Sequence, residues 1–406
     1  MAKERLNGSP VTESASSCVA LFGLGGTIAM TRAPGGGVSP ALSAAELLAA
    51  VPGLDCIGIE LRTVDFRRKP GASLSFGDLF ELAAAISGAL DSGCRGVVVI
   101  QGTDTIEEVA YVLDLLLDTD APVVVTGAMR NPTMAGADGP ANILAAILVA
   151  ISADARGMGC LVVLGDQVHA ARWVQKTHTA SPAAFASPGH GPLGEVVEGR
   201  VRLPVALRHR SPALRPDPAR RVRVGVATVV LGDDGSFAEA RGERADGLVI
   251  AALGVGHVPG DMAPALGRLA GRMPVVLASR IGAGPVHDGT YGYPGSERDL
   301  LSRGLISAGC LAPVKARILL HLLIGSGADN TRIRETFAAA GAQLLSAANC
   351  RAAPRPRAPC GAAPAADRRS TVPVAAQAVE DLARVLRADP DHRPHRVGQG
   401  HPGHVK

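Results

Sequence analysis

VVVIQGTDTIEEVAYVLDLLL, residues 97–117, begins as an apolar run, breaks at Gly102, sets Thr103 and Thr105 around Asp104, and continues at helical spacing. A buried strand passing through a glycine turn into a helix is the repeating unit of a parallel sheet covered by helices. The unit recurs on both sides of this stretch. Upstream, CVALFG (18–23) reads as a strand ending at the turn GLGGT. SAAELLAAVPGL (43–54) reads as a helix opened by Ser43 and stopped at Pro52, and SFGDLFELAAAISGALDSG (75–93) as a helix with Ser75 as its N-cap. Downstream, APVVVTGAM (121–129) and CLVVLGD (160–166) read as strands, with GPANILAAILVAISADA (139–155) as a helix between them.

This alternation predicts an α/β fold: a larger N-terminal domain over 18–206, with a mostly parallel sheet and helices on both faces. LRHRSPALRPDPARR (207–221), rich in Pro and Arg, reads as a linker. A second series follows in VRVGVATVVLG, DGLVIAALGVG, PVVLASRIGAG and the helical PVKARILLHLLIGSG. It predicts a smaller C-terminal α/β domain over 222–343. Residues 1–17 and 344–406 read as disordered, apart from helical spacing in AAQAVEDLARVLRAD.

Composition narrows the function classes. Aromatic residues are only 3 % of the chain, which suits small-residue packing of helices on a sheet. The net charge of +4 is unevenly placed: residues 341–406 carry 10 Lys/Arg and 5 Asp/Glu, out of 41 and 37 in the whole chain. The near-neutral body gives no reason to expect nucleic-acid binding. The seven cysteines include no CxxC pair and are odd in number, so reduced thiols in a cytoplasmic protein are expected. The start, MAKERLNGSPVTESASS, has no signal-peptide core, and no apolar stretch reaches the roughly 18 residues of a membrane span.

Ligands in such folds bind at the carboxyl ends of strands, which is where Gly102, Thr103 and Asp104 fall. A threonine needs an adjacent base to act as a nucleophile, and Asp104 suits a substrate ammonium group. Thr105 and Glu108 fit the capping-box pattern Thr-x-x-Glu and read as helix-starting residues. In GLGGTIAM, Gly26 and Thr27 follow a strand on a glycine turn. Ile28 replaces the last glycine of a dinucleotide fingerprint, and no phosphate-loop lysine follows, so that turn alone does not point to a nucleotide. In ARWVQKTHTASP, Lys176 is either a solvated loop lysine or, desolvated, a base for a hydroxyl. GADGPAN reads as a turn into a helix, with Asp138 capping it and supporting neighbouring loops. No HExxH and no GxSxG occurs, which weakens metal and serine-hydrolase readings.

Taken together, these stretches resemble the bacterial L-asparaginase/glutaminase family of threonine amidohydrolases. GLGGTIA matches the family's TGGTIA except at Leu24. QGTDTIEEVA matches HGTDTMEETA, PVVVTGAMRNPTMAGADGPAN matches PVV-x-TGAMRP with ADGP-x-N, and RWVQKTHT matches R-x-V-x-KT-x-T. SPGHGPLG and GSERDLLSRGLISAGCLAPVKARILLHLLI extend the similarity over about residues 18 to 340. The resemblance implies hydrolysis of the side-chain amide of L-asparagine to L-aspartate and ammonia, with minor glutaminase activity and no cofactor or metal. Carried over, Thr27 is the first nucleophile, while Thr103, Asp104 and Lys176 form a second group around the attacking water or hydroxyl. Which threonine attacks stays open. Asp104 also takes the substrate α-amino group, Glu297 helps activate Thr27, and Gly26, Ser73, Gly102 and His257 line the substrate. The resemblance also implies a homodimer or homotetramer with the site between subunits.

Three further positions depart from the pattern. Gln101 replaces a histidine, and Ala72 stands where the family has serine. The loop after Thr27 lacks the family's tyrosine, so Tyr291 or Tyr293, close to Glu297 in sequence, is the candidate to supply a phenol, with a turn role as the alternative; Tyr111 reads as core. Two other readings remain: a catalytically weak or inactive amino-acid-binding homologue, and a glutaminase-type subunit of a tRNA-dependent amidotransferase.

Overall fold

The computed structural model describes residues 18–32, 38–40, 42–207 and 210–341. The expectations for 1–17 and 344–406 lie outside the described residues. The first domain contains strands β1 (Cys18–Gly23), β2 (Met30–Arg32), β3 (Val38–Pro40), β4 (Glu60–Asp65), β5 (Cys94–Ile100), β6 (Val123–Thr126), β7 (Cys160–Leu164), β8 (Gln167–Ala170), β9 (Gln175–Lys176), β10 (Phe185–Ala186), β11 (Gly194–Val197) and β12 (Arg200–Arg202). Its helices are α1 (Ala44–Ala49), α2 (Phe76–Asp91), α3 (Ile106–Leu116) and α4 (Gly139–Ile151).

Eight strands form one sheet in the order β12-β11-β8-β7-β6-β5-β1-β4. The segment from β7 to β4 is parallel, and the β8, β11 and β12 edge is antiparallel. Alternation along β1 splits the core: Cys18, Ala20 and Phe22 face one layer, Val19 and Leu21 the other. The first layer includes Leu82 and Ile86 of α2 and Val109 and Leu113 of α3; the second includes Leu47 of α1 and Ile143 and Ile147 of α4. Burying side chains such as Leu82 and Ile86 contributes about 1.5–3 kcal/mol each. The N-caps expected at Ser43 and Ser75 are present, each in a capping box with Glu46 and Asp78 respectively.

The second domain has strands β13 (Val224–Thr228), β14 (Gly247–Ala252), β15 (Val275–Ser279) and β16 (Ile306–Ser307), all parallel in that order. Its helices are α5 (Ser236–Gly242), α6 (Ala263–Ala270), α7 (Glu297–Ser302), α8 (Pro313–Gly325) and α9 (Asn330–Gly341). Apolar nearly all round, α8 is buried between the two sheets, against α3 on one side and β13, β14 and β15 on the other.

Residues 210–221 of the expected linker, 207–221, do not stand away from the body. The Leu214 N–H donates to the Leu115 carbonyl at 2.8 Å, the Arg210 guanidinium to the Thr119 carbonyl at 2.7 Å, and the Asp217 N–H to the Gly325 carbonyl at 3.1 Å. The prolines prevent a helix, but the strap still satisfies its polar groups on the body. Nor are all the cysteines reduced: Cys18 and Cys94 form a disulfide. They lie far apart in sequence, and the parallel β1–β5 register sets them side by side.

Candidate active site

The strand order reverses around β1. The chain passes from β1 to β4 on one side, then crosses back to β5, β6 and β7 on the other. Loops leaving the carboxyl ends of β1 and β5 therefore diverge and open a crevice, where ligands bind in this class of sheet. Thr27 lies in the first of these loops and Thr103 in the second.

The two loops meet through glycines. The Leu24 N–H donates to the Ile100 carbonyl at 2.9 Å, and the chain then turns through Gly25 and Gly26. Gly26 has φ 89°, and a Cβ there would sit 2.1 Å from the Gly102 nitrogen. Gly102 also abuts Gly71, which opens the short turn Gly71–Ser73, so three loops converge. Thr27, partly exposed, heads the single helical turn Thr27–Ala29; Ser73 is exposed on the converging turn.

Thr103 and Asp104 occupy the turn Thr103–Thr105 that leads into α3. Thr103 is buried, while the Asp104 side chain is 67 % exposed. Lys176, on the short strand β9, reaches both. Its Nζ donates to Thr103 Oγ1 at 3.0 Å and to Asp104 Oδ1 at 2.9 Å. The side chain of Lys176 is only 16 % exposed. Its solvated-loop reading is thereby replaced by a lysine held against a hydroxyl. In its neutral form it can accept the Thr103 proton, and the open face of Asp104 can receive an ammonium group.

Thr105 does not form the capping box expected with Glu108. Its hydroxyl turns away from α3 and donates to the Gly71 carbonyl at 3.0 Å, fastening the third loop to the site. Gln101 is fully buried beside it, with Nε2 at 3.2 Å from the Gly102 carbonyl. Asp138 supports the next loop, as expected, accepting from the N–H groups of Met129 and Arg130 and from the Asn142 amide, but its side chain makes no capping bond to α4 because those groups occupy it. His178 accepts the N–H groups of Ala180 and Ser181, a turn-forming role.

Four further predicted residues gather in the second domain. Glu297, the first residue of α7, is fully buried. Its carboxylate accepts the N–H groups of Thr290 at 2.9 Å and Tyr291 at 2.7 Å, and the His257 ring stands at 3.2 Å. Burial alone would raise its pKa, but these bonds outweigh it and hold the carboxyl below its ordinary value. The Tyr293 hydroxyl lies 2.9 Å from His257 Nδ1, and the Tyr291 ring meets the His257 ring edge-on. Both phenol rings are exposed, whereas Tyr111 is core, as expected. Among the described residues, no hydrogen bond joins this cluster to Thr27, Thr103 or Lys176. The residue that sequence reasoning passed over is Lys315, whose ammonium donates to the Glu107 and Ala171 carbonyls, on the segments that lead from Thr103 and toward Lys176; a largely apolar helix gave no local signal of it.

Comparison with known proteins bears on both clusters. The family profile "Asparaginase, N-terminal" matches residues 18–207, and "Glutaminase/Asparaginase C-terminal domain" matches residues 223–337. A probable L-asparaginase of Deinococcus radiodurans is 38 % identical over 323 residues, covering 79 % of this chain and 96 % of that protein. An L-asparaginase of Bacillus licheniformis is 33 % identical over 316 residues, covering 76 % and 95 %. The crystal structure of a probable cytoplasmic L-asparaginase from Campylobacter jejuni superposes with a TM-score of 0.70 at 32 % identity, covering 79 % of this chain and 99 % of that one.

Proposed function

Since this chain belongs to the asparaginase/glutaminase family, we propose that it is an L-asparaginase, an amidohydrolase that converts L-asparagine to L-aspartate and ammonia. The observation that carries this reading is the Lys176 ammonium bonded to both Thr103 and Asp104, beside the glycine turn that presents Thr27. Asp104 takes the substrate α-amino group. Thr27 or Thr103 attacks the amide carbonyl, with Lys176 serving the Thr103 hydroxyl. Gly26, Ser73 and Gly102 line the substrate, and loop N–H groups stabilise the oxyanion; losing one such donor costs about 3 kcal/mol.

Glu297, His257, Tyr291 and Tyr293 form the second half of the site. The family resemblance supports a homodimer or homotetramer with the site between subunits. Tyr293, aimed at His257, is the better placed phenol to stand in for the absent loop tyrosine. The resemblance to the probable cytoplasmic L-asparaginase of Campylobacter jejuni supports a cytoplasmic location.

The deciding experiment measures ammonia release from L-asparagine and L-glutamine. Wild type is expected to prefer asparagine, and Thr27→Ala and Thr103→Ala each to lose about a hundredfold or more in kcat. Tyr293→Phe is expected to lower kcat, and unchanged turnover in both Tyr291→Phe and Tyr293→Phe would remove the phenol from the mechanism. A folded wild type that is stabilised by aspartate yet releases no ammonia would make the chain a binding homologue.

A further inference from the structure

Thr105 stands at the N-cap position of α3, yet its side chain makes no capping bond to that helix. Its hydroxyl donates instead to the Gly71 carbonyl at 3.0 Å, across 34 residues of sequence. The Nε2 of buried Gln101 lies 3.4 Å from the same hydroxyl and 3.2 Å from the Gly102 carbonyl. The half-buried hydroxyl thus has a donor behind it and an acceptor ahead, which fixes its direction. Forgoing a cap weakens a helix, and a local rule broken in this way is expected where a site gains by it. What is held here is the turn Gly71–Ser73. A Cβ at buried Gly71 would lie 3.0 Å from the Gly102 carbonyl oxygen and 3.2 Å from Thr105 Oγ1, so the turn sits close against the Thr103 loop. Ala72 and Ser73 stand exposed, and Ser73 carries the only hydroxyl of the turn.

We propose that Thr105 is a positioning residue for substrate affinity: through the Gly71 carbonyl it sets where Ser73 stands relative to Asp104, and so how the two together hold one amino acid. Thr105 follows Asp104 directly in the turn Thr103–Thr105. That one short segment therefore holds the acceptor for the substrate ammonium group itself and holds the Ser73 turn through a hydrogen bond. Because Ala72 has no polar side-chain atom, no neighbour in the turn makes up for a displaced Ser73. Ser73 and Asp104 grip the end of the amino acid that does not react. Their hold is the same in ground and transition states, so its loss raises KM and leaves kcat. The identity of the ligand rests on the asparaginase reading; the link from Thr105 to the Ser73 turn does not. A bond that only fastens a loop lowers melting temperature and leaves affinity unchanged.

The test uses the full chain with Thr105→Val, which keeps the branched shape and removes the hydroxyl, beside Thr105→Ser, which keeps the hydroxyl. Turnover gives KM and kcat for L-asparagine, and calorimetry gives Kd for L-aspartate, which carries the same α-amino group. Thr105→Val is expected to raise both KM and Kd about tenfold, the scale of one hydrogen bond, with kcat within about twofold of wild type. Thr105→Ser is expected to stay within about twofold of wild type in all three. A folded Thr105→Val with wild-type KM and Kd overturns the proposal, whatever its melting temperature. So does one in which kcat falls while KM stays. If Thr105→Val does not fold, Gln101→Met decides, because it leaves the Thr105 hydroxyl without its buried donor. A rise of about threefold in KM and Kd is then expected, and wild-type values overturn the proposal. If wild type releases no ammonia, the asparaginase reading fails, while the aspartate Kd of wild type and Thr105→Val still decides the role of Thr105. If wild type neither releases ammonia nor binds aspartate, both fall.

Discussion

Gly26 is the position at which a single added carbon would do most harm. Its Cβ would lie 2.1 Å from one backbone atom of Gly102 and 2.2 Å from another, with φ in the region that glycine favours. Backbone cannot give way as a flexible side chain can, so Gly26→Ala must separate the Thr27 and Thr103 loops. Overpacking of this kind costs about 1–3 kcal/mol, and turnover is expected to fall at least about tenfold, since small misplacement of reacting groups is costly. Gly53→Ala is the control. Its φ is 79° but nothing lies within 4 Å, so thermal melting should drop modestly with turnover retained. Of these details the sequence carried only part. Thr27, Thr103, Asp104 and Lys176 stand in recognisable stretches, but the Gly26–Gly102 contact joins segments far apart in the chain. Thr105 was misread because a local pattern ignores an acceptor, the Gly71 carbonyl, supplied by a distant loop.

Helix α2 shows what an element can hold beyond its own turns. Ser75 was legible as its N-cap; the role of Asp78 was not, because its partners arrive from the preceding loop. Buried Asp78 completes the capping box and also accepts from Arg67 at 2.8 Å and Lys69 at 2.9 Å. The Lys69 backbone in turn packs against Gly25, so α2 is tied to the Thr27 turn. Burial would raise the Asp78 pKa, but the bonds to Arg67, Lys69 and Ser75 outweigh it and hold it well below 3.8. A carboxyl depressed on folding stabilises above its unfolded pKa, and loses that contribution as pH falls through the folded one. Wild type should therefore lose stability progressively below pH 3.8, while Asp78→Asn lacks this component. At pH 7 the variant should be less stable by roughly 1–3 kcal/mol, the cost of stranding buried donors. Denaturant unfolding of both proteins across pH 2–7 checks the sign.

For the whole molecule, the order of two α/β domains was legible because alternating strands and helices are written locally. The sharing of α8 between them was not: a largely apolar helix announces burial without naming what covers it. The matched family profiles end at residue 337, so a chain ending at residue 345 should keep turnover and melting temperature, and loss of either would assign the remaining residues a part in folding or catalysis. The Lys315 contacts also impose an order in time. They span 208 residues to Glu107 and 144 to Ala171. On a ribosome adding about 5–20 residues per second, the Glu107 and Ala171 carbonyls wait roughly 7–40 s for the lysine that satisfies them. Through that interval the nascent first domain carries Thr27 and Thr103 without the buried ammonium of α8, so its packing is completed only with the last third of the described chain.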